Sequence, residues 1–171
     1  MAGSLVLIDS DTASSSSSIA LTGVDSTYNV YLVTWNNLTP SNDSVYTSLR
    51  FTVSGTGDSD SNYDYAMMRF QADSTPFYTD GSADASSITM SDVGTATGEV
   101  SSGILYLFQF SNASEYSFIT YETVTRNSSG NSRGRAGSGV LTETQANDGV
   151  EFIISGGNIA SGNFKLYGLR K

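Results

Sequence analysis

Cysteine and histidine are both absent from this chain of 171 residues. Without cysteine there is no disulfide, no thiolate metal site and no thiol nucleophile. Without histidine the usual general base and the commonest metal ligand are gone. Proline occurs only twice, which leaves the strands free to sit centrally in sheets. Charge is thin, with 15% of residues charged against a usual value of about 25%. Positive charge is scarcer still: 8 Lys and Arg stand against 17 Asp and Glu, for a net charge of −9. Such a chain repels phosphate backbones, so nucleic acid is not expected as a partner. No apolar run approaches the length of about 18 residues that a membrane span needs, so no membrane insertion is expected. The opening "MAGSLVLIDSD" lacks the basic flank and apolar stretch of a signal peptide. Helical periodicity is missing, and no repeat of about 20–50 residues marks a propeller or solenoid.

What the chain has is short apolar runs separated by Gly, Ser, Asn and Asp. "SLVLID" (4–9), "SSIALTG" (17–23), a run from Tyr28 to Leu38, "SLRFTV" (48–53), "YAMMRFQ" (65–71) and "SSITM" (86–90) come first. "GILYLFQF" (103–110), "YSFITYETVT" (116–125), "VEFIIS" (150–155) and "NFKLYGLRK" (163–171) follow. The length suits one domain, 1–171, burying about 70% of the unfolded chain's surface. The spacing predicts an all-β fold, a jelly-roll-like sandwich of two antiparallel sheets with roughly ten strands. Residues 54–64, 72–85 (with Pro76) and the glycine-rich 126–139 read as loops, and 142–149 holds at most one helical turn.

Three strands break the in-out rule of a half-wetted sheet. Tyr31, Val33 and Trp35 back Tyr28, Val30 and Leu32. Leu105 and Leu107 back Ile104, Tyr106, Phe108 and Phe110. Phe118 lies opposite Ile119 and Tyr121. Each large side chain is worth about 1.5–3 kcal/mol when buried, and several left in water make an aggregating patch. A cyclic homo-oligomer is therefore expected, with the second-face residues Tyr31, Val33, Trp35, Leu105 and Leu107 as the interface, although which face meets the partner is open; the alternative is that the loops 54–64, 72–85 and 126–139 cover these faces.

The stretch "SLVLIDSDTASSSSSIALTGVDSTYNVYLVTWNNLTPSNDSV" (4–45) resembles the N-terminal segment of small virion proteins of tailed phages, especially those of marine bacteria. "SGNFKLYGLRK" (161–171) is similar to the last strand of that group. The resemblance implies a structural part of a head or tail, such as a tail appendage, fibre-like module or capsid decoration protein. It implies assembly in the host cytoplasm with other virion proteins as partners, and it brings no catalytic residues.

Candidate sites are few. Asp58, Asp60, Asn62 and Asp64 alternate like the start of a calcium loop, but Tyr63 stands where glycine belongs and Arg69 where the bidentate glutamate belongs. No metal or other cofactor is expected. Glu99, Glu122, Glu143 and Glu151 are not paired by spacing as a glycosidase needs, and no enzyme is expected. Tyr46, Tyr63, Tyr65 and Tyr78, with Phe77, could stack on sugar rings, so a lectin-like module contacting host surface glycans is the alternative function. Arg126, Arg133 and Arg135 form a small basic cluster suited to docking on an acidic neighbour.

Overall fold

The computed structural model describes residues 4–126 and 130–170. Thirteen strands run through them: β1 Leu5–Ser16, β2 Ser18–Thr22, β3 Val30–Pro40, β4 Val45–Val53, β5 Thr56–Gly57, β6 Tyr63–Gln71 and β7 Ser74–Ala85, then β8 Ile88–Val93, β9 Ser101–Phe108, β10 Ser117–Arg126, β11 Ser132–Leu141, β12 Gly149–Ile154 and β13 Ile159–Leu169. The all-β expectation holds, in two antiparallel sheets. The larger has eight strands in the order β1-β13-β3-β9-β10-β11-β6-β7. The smaller has the order β2-β12-β4-β5, with β8 also on β4.

Two stretches expected as loops are strands. Most of residues 72–85 form β7, an edge strand that among the described residues pairs only with β6. An edge strand tolerates Pro76, which falls where the β6–β7 register shifts and no ladder partner is needed. The glycine-rich tract becomes β11, an internal strand hydrogen-bonded to β10 and β6 over Ser132–Leu141; its residues 127–129 lie outside the described residues, as does Lys171 at the end of the last expected strand. Composition hid β11 because its neighbours demand small residues. A Cβ on Gly137 would come within 2.6 Å of the Tyr121 ring, and one on Gly139 within 2.5 Å of Ile88. In 54–64 only the two-residue β5 and the start of β6 interrupt the loop.

The core lies between the sheets. Trp35 of β3 tilts against Phe152 of β12 at 5.4 Å between centroids, and Phe152 meets Phe164 of β13 at 4.9 Å. Phe51 of β4 bridges Tyr63 at 5.4 Å and Phe110 at 4.5 Å. Tyr31, Val33, Trp35, Leu105 and Leu107 are all buried in this core. They were expected to meet a partner, and the five-stranded sheet covers them instead. Their two-sided strands therefore turn the other face outward.

Candidate functional site on the outer face of the large sheet

Antiparallel register puts directly paired residues on one face. On the outer side of the eight-stranded sheet this generates continuous rows. One runs Leu7, Tyr167, Leu32, Tyr106, Thr120 and Ser138 across β1, β13, β3, β9, β10 and β11. The next runs Ser10, Lys165, Thr34, Ile104, Glu122 and Ala136, reaching Met68 on β6. On the other side of the first, Val30 pairs with Phe108, Phe108 with Phe118 and Phe118 with Val140.

These rows are apolar and open. Ile104 is 37% exposed, Phe118 45%, Val124 54% and Met68 44%. Leu5 and Leu7 on the edge strand β1 are each 53% exposed. Tyr106 and Phe108 stand side by side, with ring centroids 6.5 Å apart. Between β9 and β6 the face dips, because β11 presents small residues there. A groove of about 450 Å³ is walled by Phe70 and Ile104 over Glu122, Val124, Gly134 and Ala136. A second, of about 220 Å³, continues it beside Tyr106 and Thr120. On the five central strands of these rows the only charges are Lys165 and Glu122. Neither takes part in an ion pair among the described residues.

The four tyrosines expected as a sugar platform are not brought together. Tyr63 is fully buried; its hydroxyl donates to the Asp58 carbonyl at 3.1 Å and accepts from the Phe51 N–H at 2.9 Å. Burial pushes its phenol well above the ordinary range. It cannot stack on a ligand. Tyr65 is half-buried against the core. Tyr78 is exposed on β7, with the Arg69 guanidinium carbon 4.5 Å from its ring centroid. Tyr46 is exposed on β4, in the other sheet, and borders a cavity of about 190 Å³ with Ser44, Asp92, Glu99 and Arg126.

The remaining candidates are committed inside the chain. Arg133 Nη1 and Arg135 Nη2 both donate to the Asp92 carboxylate, the latter at 2.7 Å. Burial pulls the Arg135 guanidinium's pKa down, opposed by Asp92. Arg126 donates to the carbonyls of Gly130 and Thr97 at 2.7 and 3.0 Å. The expected basic docking cluster is thus dispersed into internal contacts. In the acidic loop, Asp58 accepts from the Asp60 N–H and from Gln145 Nε2. Among the described residues no three His, Cys, Asp or Glu side chains gather as metal ligands. Among them, too, no helix is long and apolar enough to cross a membrane.

What the sequence did not show is that Lys165 and Glu122 lie in one row, three strands apart. The alternation in "NFKLYG" and "FITYETV" placed each on the face opposite buried residues. Only the register aligns them.

No protein-family model matches the chain, and no curated protein matches it. Among solved structures it is similar to a toad ovary galectin in complex with N-acetylgalactose, at 9% identity and a TM-score of 0.28, over 85% of this chain and 96% of that one. A toad ovary galectin with thio-digalactose gives 9% identity and a TM-score of 0.23, over 80% and 98%. Likenesses this low carry no argument about what the chain binds.

Proposed function

We propose that this chain is a structural assembly protein, built to be packed through the outer face of its eight-stranded sheet, and that its place is the virion of a tailed phage, as a tail appendage or a decoration of the head. The observation that carries the assembly reading is the contiguous apolar face around Ile104, Tyr106 and Phe118, on a fold whose core is already complete without it. A monomer gains nothing from keeping such side chains in water, whereas a partner that buries them gains about 25 cal/mol per Å² of apolar area removed from solvent. The virion assignment is supported by segments 4–45 and 161–171 and by a surface rich in Ser, Thr and Asn. Assembly there occurs in the host cytoplasm and calls for no cofactor.

The test is the mass of the chain in solution beside that of Ile104→Asp. The expected result is an oligomer for the natural sequence and a folded monomer for the variant. An Ile104→Asp chain that assembles like the natural one removes the outer face from the mechanism. Imaging of purified particles carrying labelled chain tests the location.

A second reading, glycan binding, is favoured by one place. The exposed Tyr46 ring stands beside Ser44, Asp92, Glu99 and Arg126, an aromatic face next to hydrogen-bonding groups. A glycan array probed with the natural chain and with Tyr46→Ala decides it: signals lost in the variant support a sugar site, and an array without signal removes it.

A further inference from the structure

We propose that the outer face binds a second copy of this chain about a two-fold axis running along the strands between β3 and β9, closing Lys165 of each copy on Glu122 of the other. This rests on the assembly reading above and names its partner. The argument is one of position. Lys165 sits on β13 and Glu122 on β10, in one row, with β3 and β9 between them. At about 4.8 Å per strand, each charge lies about 7 Å from the line midway between β3 and β9. A two-fold axis along that line, in the plane between two facing sheets, carries each row onto itself reversed. It lays Lys165 over Glu122 twice, with opposite signs both times. Facing sheets cross at about 30°, which displaces each pair by about 4 Å, within reach of a lysine side chain.

The same operation brings other residues of the face together. Thr34 meets Ile104, Leu32 meets Tyr106 and Val30 meets Phe108. The exposed Leu7 of edge strand β1 lands on Ser138 of β11, and Leu5 lands near Val140, so both edge leucines come to lie over a strand of the facing copy. This accounts for leucines that the fold of one chain leaves in water. The area suffices. The six strands from β1 to β11 in sheet order, by seven residues, give a face of about 29 by 23 Å, or about 1,300 Å² for the pair, near the lower end of specific interfaces. The face is also nearly neutral on a chain of net charge −9, so the copies meet where they repel least.

Two experiments test it. In the first, sedimentation equilibrium follows the natural chain, Glu122→Lys, Lys165→Glu and the double charge swap, with Trp35 fluorescence checking that each is folded. Each single change sets like charges together twice and is expected to weaken dimerisation at least about tenfold, and the swap to restore it to within about threefold. A swap no better than the singles overturns the two-fold arrangement. In the second, a carbodiimide joins amines directly to carboxylates. Three strand spacings, about 14 Å, separate Lys165 from Glu122 within one chain, so a Lys165–Glu122 linkage found only in the dimer band supports the proposal, and a dimer band without it overturns it. The failures are separable. If Ile104→Asp abolishes assembly while the swap fails to rescue, the face is an interface with another geometry; if the natural chain stays monomeric at about 100 µM, self-docking is overturned.

Discussion

The indole N–H of Trp35 donates to the hydroxyl of Ser101 at 3.1 Å, and both side chains are fully buried. That bond ends a chain of hydroxyls crossing the core. Ser91 also donates to Ser101, at 3.0 Å, and Thr47 lies 2.8 Å from Ser91. With the Ser91 hydrogen committed to Ser101, the Thr47 hydroxyl directs its hydrogen at Ser91, between the Ser91 hydroxyl and the Ser91 carbonyl 3.2 Å away. Strands β3 and β9 of one sheet and β4 and β8 of the other are thereby tied at one point.

Ser101→Ala leaves the indole N–H and the Ser91 hydroxyl without their acceptor in a dry interior. The expected cost is about 1–3 kcal/mol, the penalty for an orphaned buried donor. Equilibrium denaturation followed by Trp35 fluorescence measures it, with Thr47→Val as a comparison that removes the donor at the far end of the chain. A Ser101→Ala midpoint equal to that of the natural chain would show that the network carries no stability.

The glycines of β11 supply a second prediction. Gly137 faces Tyr121, whose hydroxyl donates to the Thr89 carbonyl at 3.1 Å. A Cβ at 137 would lie 2.6 Å from the Tyr121 ring and 2.9 Å from the Ala66 carbonyl oxygen. Gly137→Ala is expected to destabilise by about 1–3 kcal/mol through overpacking. Ser138→Ala, next door on the outer face, should change stability by less than about 0.5 kcal/mol. Thermal unfolding of the two variants checks the contrast.

Those glycines also mark where the sequence stopped being legible. Alternation placed "GILYLFQF" and "YSFITYETVT" as strands and gave each two faces, and the fold class followed. It could not say which face the smaller sheet would cover, since Leu105 and Ile104 are equally apolar. The structure settles that through Trp35 and Phe152. Nor could residue preferences find β11, where Gly134, Gly137 and Gly139 read as a loop although Phe70, Tyr121 and Ile88 fill the space their side chains would take. Tyr63 looked like a loop ring because Asp58, Asp60 and Asn62 precede it. Its hydroxyl instead closes that loop onto the core. The row joining Lys165 to Glu122 required register, which depends on long-range pairing and leaves no local trace.

Asp92 carries a third prediction. Arg135 is almost wholly buried, and two of its guanidinium nitrogens, Nε and Nη1, have no hydrogen-bond partner among the described residues. Asp92 is then the group that makes its charge tolerable. Removing one partner of such a pair strands the other, at about 3–5 kcal/mol. Asp92→Asn should approach the lower figure, while Arg133→Ala, which leaves Arg135 with its carboxylate, should cost about 1 kcal/mol or less. Replacing Arg135 by Met together with Asp92→Asn should recover much of the loss. Guanidinium titrations give all four midpoints; an Asp92→Asn loss no larger than that of Arg133→Ala would rule out the dependence.

Alkaline pH offers the last test. Burial raises the phenol pKa values of Tyr63 and Tyr121 above their ordinary 10.0, and pushes Tyr31 the same way. An acid whose pKa rises on folding holds its proton in the native state after the unfolded chain has lost it. Its contribution is therefore complete below pH 10 and declines as pH climbs beyond that value, by up to about 1.4 kcal/mol per pH unit for each such tyrosine. Denaturant midpoints should be level from pH 8 to about 10 and then fall steeply, with the final rise in tyrosinate absorbance coinciding with the loss of tertiary circular dichroism. Tyr63→Phe should start about 1 kcal/mol less stable, because the Phe51 N–H loses its acceptor. It should then decline less steeply, having one phenol fewer to ionise on unfolding. A variant whose slope above pH 10 equals that of the natural chain would mean that Tyr63 ionises as readily folded as unfolded, which its place in the core between Phe51 and the Asp58 carbonyl does not allow.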